Sequence, residues 1–328
     1  MNSSIKASLG TFGPLIALLV VFGLFAFLPT MPSSFTDAYN LKTILTQTVI
    51  IGIGALGMTL VIISGGIDLS AGSQIALCSV VVAKVMQSFQ IEIESVGVGL
   101  SFLASLSGIG ACALIGIIMG LIITRFKIVP FIVTLGFMLI IRGGAKWLGD
   151  NQMVVAPDNA LLPLMDVQPD PGFLFFSIGA WIFLLLLGLL FIVLRYTIFG
   201  RTTFAIGSSE STARLCGIAV ERYRIAIYGL CGAFLGVSGV MQFANLGQGD
   251  PTAAQGMELD IIAAVVIGGG SLSGGEGSAL GTFVGALIMA VLRNGCNMLG
   301  VDNYVQEIII GSIIVIAVAL DRLKHQRS

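Results

Sequence analysis

Charged residues are scarce in this chain: Asp, Glu, Lys and Arg make up 10% of 328 residues, 16 basic against 17 acidic, for a net charge of −1. Nucleic-acid recognition needs a concentrated basic face, so that class of partner is excluded. Histidine is rarer still, with His325 alone in the polar tail, which removes the commonest metal ligand and acid-base group from any buried site. No metal centre or other cofactor is expected. The five cysteines, Cys78, Cys112, Cys216, Cys231 and Cys296, are widely spaced with no CxxC pair, and most lie inside apolar runs. They read as packing residues. A GxxxxGK[ST] loop is also missing, so the chain has no phosphate cradle with which to use ATP itself.

What the chain has in abundance is apolar surface: 56% of its residues are hydrophobic and its mean hydropathy is +1.02. That composition excludes an ordinary soluble globule and defines an integral membrane protein. With about 20 apolar residues needed per crossing, the full-length spans are Phe12 to Leu28, Leu41 to Ile63, Val96 to Ile123, Gly172 to Leu194 and Ile225 to Phe243. Ala71 to Met86, Ile128 to Ile141, Met257 to Gly270, Ala279 to Cys296 and Val305 to Leu320 are shorter or interrupted by glycine. Full spans beside short ones predict an all-α polytopic protein, a single membrane domain over residues 1–328, with about ten transmembrane helices and re-entrant pieces. No small-x-small cleavage site follows the first apolar run, which reads as a membrane helix.

Orientation follows from the basic residues. A cytoplasmic N-terminus puts Lys6, Arg125, Lys127, Arg195, Arg201, Arg214, Arg222, Arg224, Arg322, Lys324 and Arg327 inside, and an even number of crossings returns the C-terminus to that side. The opposite loops carry Asp37, Glu92, Glu94, Asp150, Asp158, Asp166, Asp170, Asp250 and Asp302, an acidic rim on which a partner with basic contacts could dock.

The chain is organised around Ser64-Gly65-Gly66-Ile67-Asp68-Leu69-Ser70-Ala71-Gly72-Ser73, a polar, glycine-rich stretch between two apolar runs. An ionisable group at the bilayer centre costs roughly 2.5–3.5 kcal/mol and a helical glycine about 1 kcal/mol relative to alanine. The stretch is therefore expected to break a helix and line a protein-buried or watery cavity, the alternative being a loop at the membrane surface. Asp68 is assigned a structural role, accepting backbone N–H bonds of the interrupted helix, in preference to direct contact with a solute. From Val61 to Ser73 the run is echoed by Val265-Val266-Ile267-Gly268-Gly269-Gly270-Ser271-Leu272-Ser273-Gly274-Gly275-Glu276-Gly277-Ser278, which suggests an internal repeat with paired interruptions. Ser64, Gly65, Gly66, Asp68, Ser70, Gly268, Gly269, Gly270, Ser271 and Ser273 are the candidates for a translocation path or helix break.

Between Arg195 and Arg224 runs the one long polar stretch predicted to be cytoplasmic. Ser208 or Ser209 can cap a helix over Glu210 to Cys216 with Gly217 as its stop, its acid early and Arg214 late to suit the helix dipole. Leu215 and Ile218 give that helix apolar contacts for another protein's groove. Gly236-Val237-Ser238-Gly239 resembles an intramembrane serine-protease motif, but Ser238 has no base to activate it.

Four separated blocks carry a resemblance to a known family: GGIDLSAGS at Gly65 to Ser73, FGRTTFAIGSSESTARLCGI at Phe199 to Ile218, QGMELDIIAAVVIGGGSLSGGEGSALGTFVGALI at Gln255 to Ile288, and NGCNMLGVDNYVQEIIIGSIIVIAVALD ending at Asp321. Together they resemble the permease subunit of bacterial ribose-type (ribose/xylose/arabinose/galactose) ATP-binding-cassette sugar importers, over nearly the whole chain. The likeness implies an inner-membrane subunit that passes a small solute, most often a monosaccharide, from a periplasmic binding protein. It further implies a second permease copy or paralogue, and cytoplasmic ATPase subunits seated on residues 195–224. On that stretch the coupling candidates are Arg201, Ala205, Gly207, Glu210, Ala213, Arg214, Leu215 and Gly217. Two departures stand out: Gly207-Ser208-Ser209 where the family commonly reads GGN, and Glu276 where a basic or neutral residue is common. Leu272-Ser273-Gly274-Gly275-Glu276 also resembles the signature of the ATPase subunits themselves, which is discounted because the chain lacks a phosphate loop. An ion-coupled secondary transporter is the alternative, and it calls for more mid-helix acids than Asp68, Glu258, Asp260 and Glu307.

Overall fold

A computed structural model of the protein describes residues 3–89, 95–170 and 172–325. Glu92 and Glu94 of the acidic rim and Arg327 of the basic set lie outside the described residues. Every apolar segment expected to be helical is helical: α1 (Ser3–Ala26), α2 (Ala38–Ile63), α3 (Ala71–Ser88), α4 (Val98–Phe126), α5 (Pro130–Leu148), α6 (Ile178–Tyr196), α9 (Val220–Leu246), α10 (Met257–Ile267), α11 (Ala279–Met298) and α12 (Asn303–His325). Two more helices, α7 (Ile198–Ser208) and α8 (Glu210–Leu215), fill the polar stretch. Among the described residues, α2, α4, α5, α6, α9 and α11 are long and apolar enough to cross a membrane. Gly13–Ala26 within α1 and Asn303–Ile316 within α12 are shorter apolar stretches, so the described residues show six clear spans and do not confirm the expected ten.

Several ends shift from expectation, α1 starting at Ser3 and α6 at Ile178, and the shift in α5 bears on a charge. The sequence suggests that α5 ends near Ile141, whereas it continues to Leu148. Arg142 does not stop it, because its guanidinium donates to the carbonyls of Pro251 and Ala253 at 3.0 and 2.7 Å. A charge satisfied by backbone oxygens no longer forces the chain out of the bundle.

Helix α2 is the centre of the bundle, buried along nearly its whole apolar length. Its glycines explain why: a Cβ at Gly52 would strike the Phe183 ring of α6, one at Gly54 would lie 2.8 Å from Ile261 of α10, and one at Gly57 2.7 Å from Phe234 of α9. Small residues let helices approach where lipid supplies no hydrophobic drive between them. The pairing of α2 with α9 is antiparallel: Ser238 donates its hydroxyl to the Ile50 carbonyl at 2.6 Å, and Gly57 meets Cys231 one to two turns further on. The α4–α9 pair uses the same device reciprocally, Gly116 and Gly120 of α4 seating Tyr228 and Ile225, and Gly232 and Gly236 of α9 seating Cys112 and Ile109.

Two short strand pairs tie loops at one end of the bundle. Ser95–Val96 (β1) pairs in parallel with Asp158–Asn159 (β3), and Val154–Val155 (β2) pairs antiparallel with Gln248–Gly249 (β4).

Candidate functional site: two helix breaks meeting at one polar helix

The interruption after α2 and the one after α10 are built alike. In the first, Gly65 donates its N–H to Ile62 O and Gly66 to Val61 O, both at 2.9 Å; in the second, Gly269 donates to Val266 O and Gly270 to Val265 O, again both at 2.9 Å. This is the Schellman arrangement, which needs a left-handed residue just past the cap and so favours glycine. Gly65 and Gly269 occupy those positions with φ of +80° and +92°. Exposure repeats as well: Ser64 and Gly268 are buried, Gly65 and Gly269 exposed, Gly66 and Gly270 buried.

Beyond the caps the two differ. After Gly66 the chain climbs back into the bundle, because α3 opens beside the first turn of α10, where a Cβ at Gly72 would overlap Ala254 O and the Glu258 carboxylate. The same end of α10 places Ile261 against Gly54 of α2. Since Gly54 lies nine residues before the end of α2, α3 begins about 13 Å above the point where α2 stops. The first break thus spans depth within the protein, as an interrupted helix does, with its backbone held by protein neighbours.

Asp68 sits fully buried in that climb. Its Oδ1 accepts the Ser70 amide at 2.9 Å and the Ser70 hydroxyl at 2.5 Å, and its Oδ2 lies 3.4 Å from Gln74 Nε2. Ser70 is the residue just ahead of α3, so the carboxylate is placed at the positive end of a helix and holds that residue by charge-assisted bonds. Around it, Ser73 Oγ, Gln74 Oε1 and Tyr228 Oη are buried with no hydrogen-bond partner among the described residues.

The second break folds back toward the polar stretch. Gly275 donates its N–H to Ile63 O at 2.8 Å, which joins the loop after α10 to the last residue of α2. At the same point lies the end of α7: a Cβ at Gly207 would overlap Ile63 O and stand 2.5 Å from Gly275 N. A Cβ at Gly274 would stand 2.8 Å from Gly207 O and 3.0 Å from Gly65 Cα. Three backbones from Gly65, Gly207 and Gly274–Gly275 therefore share one space that admits no side chain. Residues singled out in the sequence as two separate sets meet here.

Helix α8 follows the predicted plan. Ser209 Oγ accepts the Thr212 amide at 3.3 Å, and Gly217, at φ +81°, closes the helix with Ile218 donating to Ala213 O at 3.1 Å. Glu210 bonds Arg214 at 2.9 Å and Arg224 of α9 at 2.8 Å, while Arg214 also bonds Glu221. Partial burial pushes the Glu210 carboxyl up, but the two guanidinium groups outweigh it and hold the group below its ordinary value. Ala213 packs with Ile206 and Val220, so α8 is fastened to both α7 and α9. Arg201, Ala205, Arg214, Leu215 and Gly217 are exposed, Leu215 at 88%. Helix α7 itself is absent from the sequence reading, although Thr197 caps it by accepting the Gly200 amide at 3.2 Å. The threonine three residues ahead of that glycine was the available signal.

Of the break candidates, Ser64, Gly66, Asp68, Ser70, Gly268, Gly270 and Ser271 are buried, while Gly65, Gly269 and Ser273 are exposed. The facing acids of the rim are partly engaged locally, Asp150 with Lys84 at 3.6 Å, Asp250 with the Thr252 amide at 2.7 Å and Asp302 with the Tyr304 hydroxyl at 2.8 Å.

A polytopic helical bundle with two like-capped interruptions and a short polar helix pair, α7 and α8, is the build of a membrane permease. The chain belongs to the family described as branched-chain amino acid transport system / permease component, which it matches over residues 40–318. It is 38% identical over 325 residues to the ribose import permease protein of Escherichia coli (strain K12), covering 95% of this chain and 93% of that protein. The fructose import permease protein of Rhizobium meliloti is 36% identical over 313 residues, covering 94% and 84%. The galactose/methyl galactoside import permease protein of Escherichia coli (strain K12) is 34% identical over 333 residues, covering 96% and 95%. No solved structure matches it.

Proposed function

We propose that this chain is the transmembrane subunit of an importer that moves a monosaccharide through the bacterial inner membrane, powered by ATP hydrolysis on partner subunits. The observation that carries the mechanism is the contact of Gly207 with both Ile63 and Gly275. Packed backbone at that density transmits displacement without slack. ATPase subunits grip the exposed face of α7 and α8, at Arg201, Ala205, Arg214 and Leu215, and their closure moves the pair as a rigid body. Gly207 passes that motion to the ends of α2 and α10, and Asp68 keeps the start of α3 in register while the breaks shift. Both termini lie on the ATPase side, and a periplasmic binding protein delivers solute at the far end of the bundle. A second permease copy or a paralogue completes the membrane assembly.

The names of the relatives, permeases for ribose, fructose and galactose, support a sugar as the solute. Neither these relatives nor the bundle's few mid-helix acids favour an ion-coupled mechanism. The deciding experiment reconstitutes the chain with its ATPase and binding-protein partners in proteoliposomes and follows labelled sugar. Uptake should require internal ATP and the binding protein and survive an ionophore. Uptake that persists without ATP and collapses with the ionophore contradicts the proposal.

A further inference from the structure

Away from both helix breaks, a cleft of about 380 Å³ opens between the first half of α2, the last turns of α9 and the start of α10. Its size falls in the ~300–1,000 Å³ range of small-molecule sites. Three carboxamides line it, Gln47 of α2 with Gln242 and Asn245 of α9, and none of the three makes a side-chain hydrogen bond among the described residues. Gln242 is only 7% exposed. The antiparallel register explains the grouping: with Ser238 bonded to Ile50, one helical turn along each helix sets Gln242 beside Thr46 and Gln47. Ile50, Ile51 and Met257 add apolar surface to the lining beside the amides. None of the cleft's lining residues is charged. A shallower depression at Tyr39, Asp166 and Gln168 shares Met165 and Val167 with it and leads outward.

We infer that this cleft is a binding station on the translocation path for a neutral polyhydroxylated solute. Each carboxamide offers both a donor and an acceptor, which is what a hydroxyl requires, while the apolar surface suits the C–H face of a sugar ring. An uncharged lining gives an ionic solute no counter-charge for the water it would lose. The station lies at one end of α10, and the glycine junction lies at the other, about 16 Å away along the helix. Motion entering at Gly207 through α2 and α10 arrives where the solute rests. A leaky, unsaturated set of amides also suits a conduit, in which tight binding would delay release.

This inference rests on the importer reading, and one experiment separates the two. The complete complex is reconstituted with wild-type chain, Gln47→Leu, Gln242→Leu and Gln242→Asn, and offered labelled ribose, fructose and galactose on internal ATP. A wild-type complex that takes up none of the three overturns the importer reading and the station with it. Where wild type transports, each leucine variant is expected to slow uptake by roughly tenfold, as loss of one or two hydrogen bonds would. The ratio of rates among the sugars should also change, and Gln242→Asn should recover most of the rate. A purely structural effect slows all sugars in the same proportion, and that result, or wild-type rates in both leucine variants, overturns the station alone. If Gln242→Leu fails to assemble, exposed Gln47→Leu carries the same test.

Discussion

The two interruptions begin identically and then diverge, and the divergence separates what a helix break requires from what it is used for. Both end a buried helix with the same hydrogen bonds around a left-handed glycine, Gly65 in one and Gly269 in the other. That much is the backbone's demand: the orphan carbonyls at a helix end must be satisfied where no water reaches. After the cap, the first chain turns inward around a buried carboxylate and starts a new helix at depth, whereas the second turns toward α7 and bonds Ile63. The first break is a store of polar groups inside the bundle. The second is a backbone contact with the end of α7 and the last residue of α2.

The sharpest way to break this comparison is at the point where both breaks meet α7. Gly207→Val puts three carbons where Ile63 O and Gly275 N stand, and overpacking of that kind costs about 1–3 kcal/mol even where neighbours can yield. Here the neighbours are backbone, so the variant is expected to lose folded protein outright, read as recovery of monodisperse complex in detergent. Asp68→Leu ranks next. It strands the Ser70 amide and hydroxyl without their carboxylate acceptor, while Gln74 keeps its 2.9 Å bond to Ser70 Oγ, at roughly 1.5–3 kcal/mol for bonds to a charged group. Thermal unfolding should fall by several degrees, while Ser273→Leu, at an exposed position of the second break, should leave it nearly unchanged.

Gly65→Ala and Gly269→Ala test the shared part of the design. Neither position has any atom that a new Cβ would strike, so the cost is the left-handed backbone alone, about 1–2 kcal/mol at each. Equal losses in thermal stability would support the repeat, and a clear inequality would argue that the caps are alike only in outline. The smallest effect belongs to Glu210. Its carboxyl is held below its ordinary value despite the opposing effect of partial burial, chiefly by Arg224 and then Arg214. The ion pairs therefore stabilise α8 above the unfolded carboxyl's pKa and lose that contribution as pH falls through the lower, folded value. Exposed pairs of this sort are worth at most ~1 kcal/mol, so Glu210→Gln should flatten the acid limb of a stability profile without altering neutral-pH unfolding by more than a degree or two.

Much of this architecture is legible in the sequence because membrane helices announce themselves by length and apolarity. The breaks are legible because glycine, serine and a lone aspartate inside apolar runs are costly in lipid and are tolerated where a helix ends inside protein. Ser209 and Gly217 mark α8 from both ends, and the structure uses both. What stays hidden depends on contacts between distant segments. Arg142 looks like a terminus until the carbonyls of Pro251 and Ala253 are seen to satisfy it. Gln47, Gln242 and Asn245 become a set only once α2 and α9 pack antiparallel in one register. The meeting of Gly207 with Ile63 and Gly275 joins residues 144 and 68 positions apart in sequence, and no local pattern encodes it.

The central claim is that α7, α8 and the two break loops move as one body when the ATPase partners close. Cys216, next to Leu215, is the one exposed cysteine among the five, and Ser273 in the second break is exposed as well. A spin label on Cys216 paired with one on Ser273→Cys, in the complete complex, reports their separation without and with trapped ATP. The account predicts the same distance distribution in both states while solute access switches sides. A shift of several ångströms between Cys216 and residue 273 would contradict it.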